Sequence, residues 1–356
     1  MSKLEKVNSD CWEKSTLTGY LDSQNVLAVV RASLPGSEAT RKTESYWHWK
    51  HVENPFGESI GTLAKARSTG EVVAVRSFMK WRFSINASNL VAVRAVDTVT
   101  AQMWRGKGIF KTLTMEALKD LDAMEVDLVF NTPNRNSAPG YIKMGWRCVD
   151  SVPLYIRPLK PLKMFLGLIK YKFRMGSIST KKENSDKLPR WTELEKIDEV
   201  LDVVSSSEAN RVRTSSALRT IRLPDYLLWR YGRNPQVDYR VYILREDNRI
   251  QAVAIIRSNI RYGLHELILA EMWARDARTD LMVRLLNSLF EHVGADYVIA
   301  HFSINSVEYA ALRKCFFFRA PARKMRLFMR KLNKPLPDSV FVLSGWDLTL
   351  GDLELF

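Results

Sequence analysis

The sequence is short of the features that would tie it to several common protein classes. Its three cysteines, Cys11, Cys148 and Cys315, are far apart and odd in number. They exclude a disulfide framework and a zinc site with paired ligands, and they fit a reducing cytoplasm. The five histidines form no HExxH pattern and have no cysteine at ligand spacing; His48 and His51 lie three apart on one expected helix, too little for a metal site, and none is expected. No run of about 18 apolar residues occurs, and the polar stretch Met1 to Asn8 leads into no apolar segment. Neither a membrane span nor a signal peptide is therefore expected. Acidic residues are in deficit, 39 against 54 Lys and Arg, for a net charge of +15. That excess favours anionic partners, whether phosphorylated small molecules, RNA or the negative face of a membrane. No RNP-like, zinc-finger or helix-turn-helix pattern accompanies it, which argues against nucleic acid.

What the chain does have is a repeat. With 46% hydrophobic and 26% charged residues it is an ordinary globular sequence, and 356 residues suit two domains. Tyr46-Trp47-His48-Trp49-Lys50-His51-Val52-Glu53-Asn54-Pro55 returns as Tyr226-Leu227-Leu228-Trp229-Arg230-Tyr231-Gly232-Arg233-Asn234-Pro235, with tyrosine, tryptophan, asparagine and proline in register. In each copy a helical pattern ended by Asn-Pro precedes alternating apolar strands. A second echo, Ala101-Gln102-Met103-Trp104 against Ala270-Glu271-Met272-Trp273, is read as lying after a strand and before a helix in both copies. Two landmarks in one order imply one fold used twice. The expected division is 1–156, a linker over 157–190, and 191–356. The linker is rich in lysine and arginine. Lys160, Lys163, Lys170 and Arg174 fall on one side of an expected helix and Leu162, Phe165, Leu166, Ile169 and Phe173 on another, so segment 159–175 is either a packed linker helix or a peripheral contact with an anionic membrane.

The first copy also carries a phosphate-binding pattern. Leu90 to Thr100 reads as a buried strand, Arg105-Gly106-Lys107-Gly108-Ile109-Phe110 as a glycine loop, and Ile109, Leu113, Ala117, Leu118 and Leu121 as the apolar stripe of a helix. Glycines let backbone approach a pyrophosphate, free N–H groups at the helix start point at it, and Arg105 and Lys107 add charge. After another strand, Asp127 to Asn131, comes Asn134-Arg135-Asn136-Ser137-Ala138-Pro139-Gly140-Tyr141-Ile142-Lys143-Met144-Gly145-Trp146. Loop and closing segment together resemble the GNAT acyltransferases. The resemblance implies an α/β architecture of two tandem GNAT (acyl-CoA N-acyltransferase) folds, each a twisted mixed sheet flanked by helices, only the first with working machinery. It departs from the family at Met103, where Gln or Arg is common, and at Asp97-Thr98-Val99-Thr100, where a hydrophobic-Val-His-Pro run is common. In the second copy Ala274-Arg275-Asp276-Ala277 stands at the loop, and Asn305, Leu312 and Phe316 stand where the first has Asn134, Tyr141 and Gly145. That copy is expected to lack the cofactor chemistry and to wall the acceptor cleft.

The resemblance further implies acetyl-CoA as co-substrate. The pantetheine would insert between splayed fourth and fifth strands, against Thr98, Val99 and Thr100, and its phosphates would lie on Arg105, Gly106, Lys107, Gly108, Ile109 and Phe110, with Asn134 and Ser137 beside the site. Tyr141 takes the place of the general acid that protonates the departing thiolate. Asp97 is the candidate base, with a structural carboxylate bonded to backbone or to Arg94 as the competing reading; His51 and Glu53 are weaker candidates. No covalent intermediate is needed, so Cys148 is expected in the core. The leading function is direct acyl transfer to the amine of a small anionic acceptor, such as an amino sugar or nucleotide sugar of surface-polysaccharide assembly. An aminoacyl-tRNA-dependent transferase of the peptidoglycan-bridge type and a non-catalytic CoA-binding scaffold are the alternatives; Gly106 and Gly108 speak against the former.

Overall fold

The computed structural model describes residues 11–17, 23–33, 42–86, 88–172, 187–321, 325–332 and 334–353. The apolar alternation of the first copy produces an antiparallel meander of β1 (Trp12–Thr16), β2 (Ile60–Ala66), β3 (Val72–Ile85) and β4 (Ser88–Thr100). β5 (Leu128–Asn131) then pairs parallel with β4. Helices α1 (Ser23–Ser33) and α2 (Glu44–His51) cover one face, where Val26, Leu27, Val30 and Trp47 pack on Leu63, Val75 and Val99. α3 (Ile109–Ala123) and α4 (Ala138–Lys143) cover the other, through Ala117, Leu118, Leu121, Ala138 and Tyr141 against Phe78, Val93 and Val129.

The second copy repeats this plan. β9 (Arg240–Glu246), β10 (Arg249–Arg261) and β11 (Leu264–Ala274) form the meander and β12 (Tyr297–Ala300) joins β11 in parallel. α8 (Thr279–His292) and α9 (Val307–Lys314) pack on one face. α5 (Pro161–Lys172) lies between the copies, and α6 (Ile197–Thr214) and the short α7 (Pro224–Leu227) precede the second meander.

The two sheets exchange a strand. β6 (Arg147–Val152) stays in the first sheet, but β7 (Tyr155–Pro158) crosses to the second and sits between β12 and β13 (Phe318–Arg319). In return β14 (Met325–Lys331) inserts between β5 and β6 of the first sheet. β8 (Leu218–Thr220) adds to β3, with β15 (Trp346–Asp347) beside it. The expected boundary after residue 156 thus falls inside β7, and each sheet needs residues from both halves of the chain.

The halves also share a core. Trp49 and Trp229 stack at 4.9 Å, and each indole N–H donates to the other's backbone carbonyl at 2.7 Å, a pseudo-twofold contact made by the first echo in register. Around it one continuous cluster includes Tyr46, Trp81, Phe83, Phe130, Tyr226 and Trp346. The second echo is corrected: Gln102–Trp104 is a 3-10 turn after β4, whereas Ala270 to Trp273 lie inside β11, and the matching turn is Arg275–Ala277. The three letters shared by the two segments stand at different levels of the strand-to-helix connection.

In the linker region, Lys160 donates to the Gly294 carbonyl at 2.6 Å and Lys163 to Asp296 at 2.8 Å, while Gly167 lets α5 lie against Leu264. Leu162, Phe165 and Leu166 are exposed. Phe173 and Arg174, part of the expected amphipathic face, lie outside the described residues. Cys148 is exposed rather than in the core, because β6 is the last strand of the first sheet and its opening residues, Arg147 and Cys148, lie at that uncovered edge. Among the described residues no helix is long and apolar enough to cross a membrane, and no cluster of potential metal ligands occurs.

Candidate active site

The glycine loop is open. After the 3-10 turn, Gly106 and Gly108 adopt φ of 77° and 76°, the left-handed region that favours glycine, and a Cβ at either would meet nothing within 4 Å. Gly108 is the N-cap of α3 and no side chain caps the helix, so its first N–H groups face outward and the positive end of its dipole is exposed. Ile109, buried, anchors the helix from below. Arg105 donates from Nε to the Thr100 carbonyl at 3.1 Å, tying the loop to the end of β4, and Lys107 lies 4.6 Å over the Trp104 ring. Met103 is exposed.

Next to the loop the sheet parts. β4 pairs with β5 only from Ala92 to Arg94, although β4 continues to Thr100. At the same level the β3–β4 register slips between Val75 and Ser77, a bulge that sets Asp97 and Thr98 opposite Arg76 and holds Asp97 at φ 42°. Thr98 points toward α4 and Asp97 and buried Val99 toward α1 and α2, by their contacts.

On the α4 side stands Tyr141. The Asn134 side-chain oxygen accepts the backbone N–H groups of Asn136 and Ser137 and the Ser137 hydroxyl, forming the turn that starts α4. Tyr141 then packs edge-on against Phe110 at 5.7 Å, over Gly140, where a Cβ would come within 3.1 Å of the Phe110 ring. The exchanged strand completes this corner: Arg330 of β14 donates to the Met144 carbonyl at the end of α4, and Gly145, φ 88°, leaves it room. The Tyr141 phenol oxygen accepts from Arg76 Nη1 at 2.9 Å, and the same nitrogen donates to Thr98 Oγ1. Arg76 was not singled out from sequence; a lone arginine inside the apolar run Val72-Val73-Ala74-Val75-Arg76-Ser77-Phe78 was the available signal.

On the α2 side Asp97 is buried beneath three nitrogens. Lys42 Nζ contacts one carboxylate oxygen; Lys50 Nζ at 2.6 Å and His51 Nε2 at 3.0 Å share the other. Arg94 does not reach it and donates instead to the Asp352 and Leu353 carbonyls. One carboxylate cannot balance two ammonium groups in a dry site, and burial pushes Lys42 down to about 8 and Lys50 well below the ordinary lysine value, the latter also through repulsion from Lys42. Burial, then Lys50 and Lys42, hold His51 well below its usual range, so it is neutral, donating from Nε2 to Asp97 and accepting at Nδ1 from Ser59 at 2.9 Å. Glu53 is exposed and bonded to His48 at 2.9 Å; with Glu44 and Ser45 these two line an open depression beside α2. The two lysines, like Arg76, were missed: Lys50 was visible as a cation among the aromatics of α2.

The corresponding places in the second copy are closed. One residue, Arg278, separates the 3-10 turn from α8, where four, Arg105 to Gly108, precede α3. Asp276 at the turn binds α6 through Ser206 at 2.8 Å and Asn210 at 3.1 Å. Leu312, buried, stands at the Tyr141 position and Phe316, φ 57°, at that of Gly145. β11 parts from β12 after Leu269, but Glu271 there bonds Arg222, Tyr231 and Thr349, and Gly351 in α10 (Leu350–Leu353) packs directly against it.

Residues 21–149 match the acetyltransferase (GNAT) domain family. No curated protein matches the chain. Among solved structures it is similar to a GCN5-related N-acetyltransferase from Anabaena variabilis (13% identity, TM-score 0.61, covering 90% of this chain and 73% of that one). It is also similar to the N-myristoyltransferase of Saccharomyces cerevisiae with bound myristoyl-CoA (13%, 0.55, 93% and 86%). A third is a probable N-acyltransferase from Enterococcus faecalis (13%, 0.59, 90% and 73%). The architecture is the GNAT fold, with two sheets arranged as two tandem GNAT-like units, and the acetyltransferase domain makes the chain an N-acyltransferase by class.

Proposed function

We propose that the first copy binds one acyl-CoA, with acetyl-CoA its simplest donor, and transfers the acyl group directly to an amine of a small anionic acceptor of the amino-sugar or nucleotide-sugar kind, in the cytoplasm. The observation that carries this reading is the pairing of an uncapped, open helix start at Gly108 with a phenol held at the point where β4 and β5 part. Phosphates lie on the loop N–H groups beside Arg105 and Lys107, and pantetheine runs along the unpaired edge of β4 by Thr98 and Thr100. The amine nitrogen attacks the thioester carbon, the C–S bond breaks, and Tyr141 protonates the leaving sulfur while Arg76 holds its oxygen, leaving the phenolic hydrogen free to donate. On the opposite face Lys42, the more accessible of the two amines on Asp97, takes the amine's proton, and Asp97, the base expected from sequence, acts through it by holding the lysine in place. The excess of Lys and Arg supports an anionic acceptor, and the solved N-myristoyltransferase complex supports acyl-CoA as the donor class.

Labelled acetyl-CoA offered with amino sugars, nucleotide sugars, polyamines and peptides tests the reading, since binding without transfer to any amine would leave only a scaffold. A base with a value of about 8 must be unprotonated to act, so kcat/KM is expected to rise with pH and level off above about 8. Asp97→Asn removes the anion that favours the charged lysine and should move that limb to lower pH. An unmoved limb would take the proton path away from Lys42 and Asp97.

A further inference from the structure

Arg76 is completely buried, yet among the described residues no carboxylate pairs with it. Other buried arginines have charged or carbonyl partners: Arg211 meets Glu308, Arg219 meets Asp347, Arg222 meets Glu271 and Asp352, and Arg94 and Arg230 donate to backbone carbonyls. Arg76 has two neutral oxygens, on Thr98 and Tyr141, both on Nη1, and the ring faces of Phe78, Phe110 and Tyr141 at 4.3, 5.6 and 5.3 Å. Its Nε and Nη2 are buried and have no hydrogen-bond partner among the described residues. A lone cation in such surroundings is costly unless something pairs with it, and burial accordingly holds its pKa below the ordinary arginine value, opposed by Tyr141. The vacant pair is also chemically particular. Nε and Nη2 form the edge of a guanidinium that receives both oxygens of a carboxylate in parallel.

The place of this edge narrows what the carboxylate belongs to. Arg76 is opposite the β4 bulge, beside the phenol that meets the sulfur and away from the glycine loop, so it lies at the thioester end of the groove and not at the phosphates. It shares the Tyr141 side of the sheet, whereas the Lys42–Asp97 cluster occupies the side assigned to the acceptor. We propose that Arg76 selects the acyl group, and that the preferred donor is a CoA thioester whose acyl chain ends in a carboxylate, of the malonyl or succinyl type. This rests on the reading of the first groove as the acyl-CoA site. The distal carboxylate stays paired with Arg76 throughout. The amine nitrogen bonds the thioester carbon, the C–S bond breaks, the sulfur takes the Tyr141 proton, Lys42 takes the amine proton, and both groups re-equilibrate with water.

Titration calorimetry of the full chain with CoA, acetyl-CoA and succinyl-CoA decides the matter. Succinyl-CoA is expected to bind about ten- to a hundredfold more tightly than acetyl-CoA, the range of a charge-assisted hydrogen-bond pair. Arg76→Gln should bring that ratio to within about threefold of one. Arg76→Lys, which keeps the charge without the fork, should retain only part of it. Equal affinity of the wild type for the two thioesters overturns the proposal without recourse to any variant, while leaving the acyl-CoA reading standing. An Arg76→Gln variant that weakens CoA and both thioesters alike overturns it too, by assigning the arginine to pantetheine or to Tyr141. Failure of the wild type to bind CoA at all would remove the groove reading itself, and the proposal with it.

Discussion

The two strand-to-helix loops of this chain begin with the same 3-10 turn and end in opposite conditions. After Gln102–Trp104 four residues with two left-handed glycines lead into α3, and none of the described residues covers the glycines; after Arg275–Ala277 a single arginine leads into α8, and α6 occupies the space. Both connections contain left-handed backbone, at Gly106 and Gly108 after the first turn and at Asp276 and Ala277 within the second, where side chains are carried as well. The strand bulge and the parting of the parallel strands are common to both copies. What distinguishes the two places is therefore not the sheet but a short loop, its cover by α6 and the filling of the parted strands by Glu271 and its partners. Breaking this contrast should have the largest effect. Gly108→Glu puts an anion at the proposed phosphate site and should weaken CoA binding by about a thousandfold or more, roughly 4 kcal/mol; Gly108→Ala reports the share due to backbone strain. Asp276→Ala should leave binding intact with one CoA per chain by calorimetry. Two CoA per chain, or binding that survives Gly108→Glu, would reverse the assignment of the copies.

The closing helices give the second contrast. Tyr141 and Leu312 hold equivalent positions, each followed by a left-handed residue, Gly145 or Phe316, but only Tyr141 has a polar partner in a groove. Tyr141→Phe should lower kcat by about a hundredfold or more and change the donor KM little, because the proton is needed only as the thiolate leaves. A steady-state comparison in which kcat is unchanged would give the acid role to another group or to water.

Local patterns in this sequence were legible and long-range ones were not. The Gly106–Gly108 loop, the Asn134 turn and the Trp49 echo each depend on a few neighbouring residues whose conformational needs are visible in their types. The Ala-x-Met-Trp echo misled because such a short match constrains neither φ nor partner, and β11 simply runs through it. The strand exchange had no local signal. Pro153 and Leu154 follow β6 and carry the chain out of the first sheet instead of into a hairpin, yet an apolar strand such as β7 or β14 satisfies the edge of either sheet, and only the assembled molecule decides between them. Arg76 and Lys50 were missed because periodicity marks where a charge is buried but not what it faces, and Lys42 because it precedes α2 and lies in no periodic run.

The closed second groove makes the smallest and most specific prediction, through a histidine just past the end of β12. His301 is fully enclosed, with Nδ1 donating to the Pro153 carbonyl at 2.7 Å and Nε2 without a hydrogen-bond partner among the described residues. Burial pushes it down to about 4 against the small opposing pull of that carbonyl and of Asp352 and Asp347. The unfolded chain therefore binds a proton that the folded chain refuses between about pH 6.5 and 4. The stability that depends on neutral His301 is complete above the unfolded value and declines as pH falls through that window. From pH 7.5 to 5.5 the loss from this one group should be about 1 kcal/mol, measured by urea unfolding. A groove open to water would give His301 an ordinary pKa and no such loss. The control is His301→Gln, which cannot titrate: its stability should change less over this interval than that of the wild type, by the same amount, and an equal change in the two proteins would mean that the second groove is not closed.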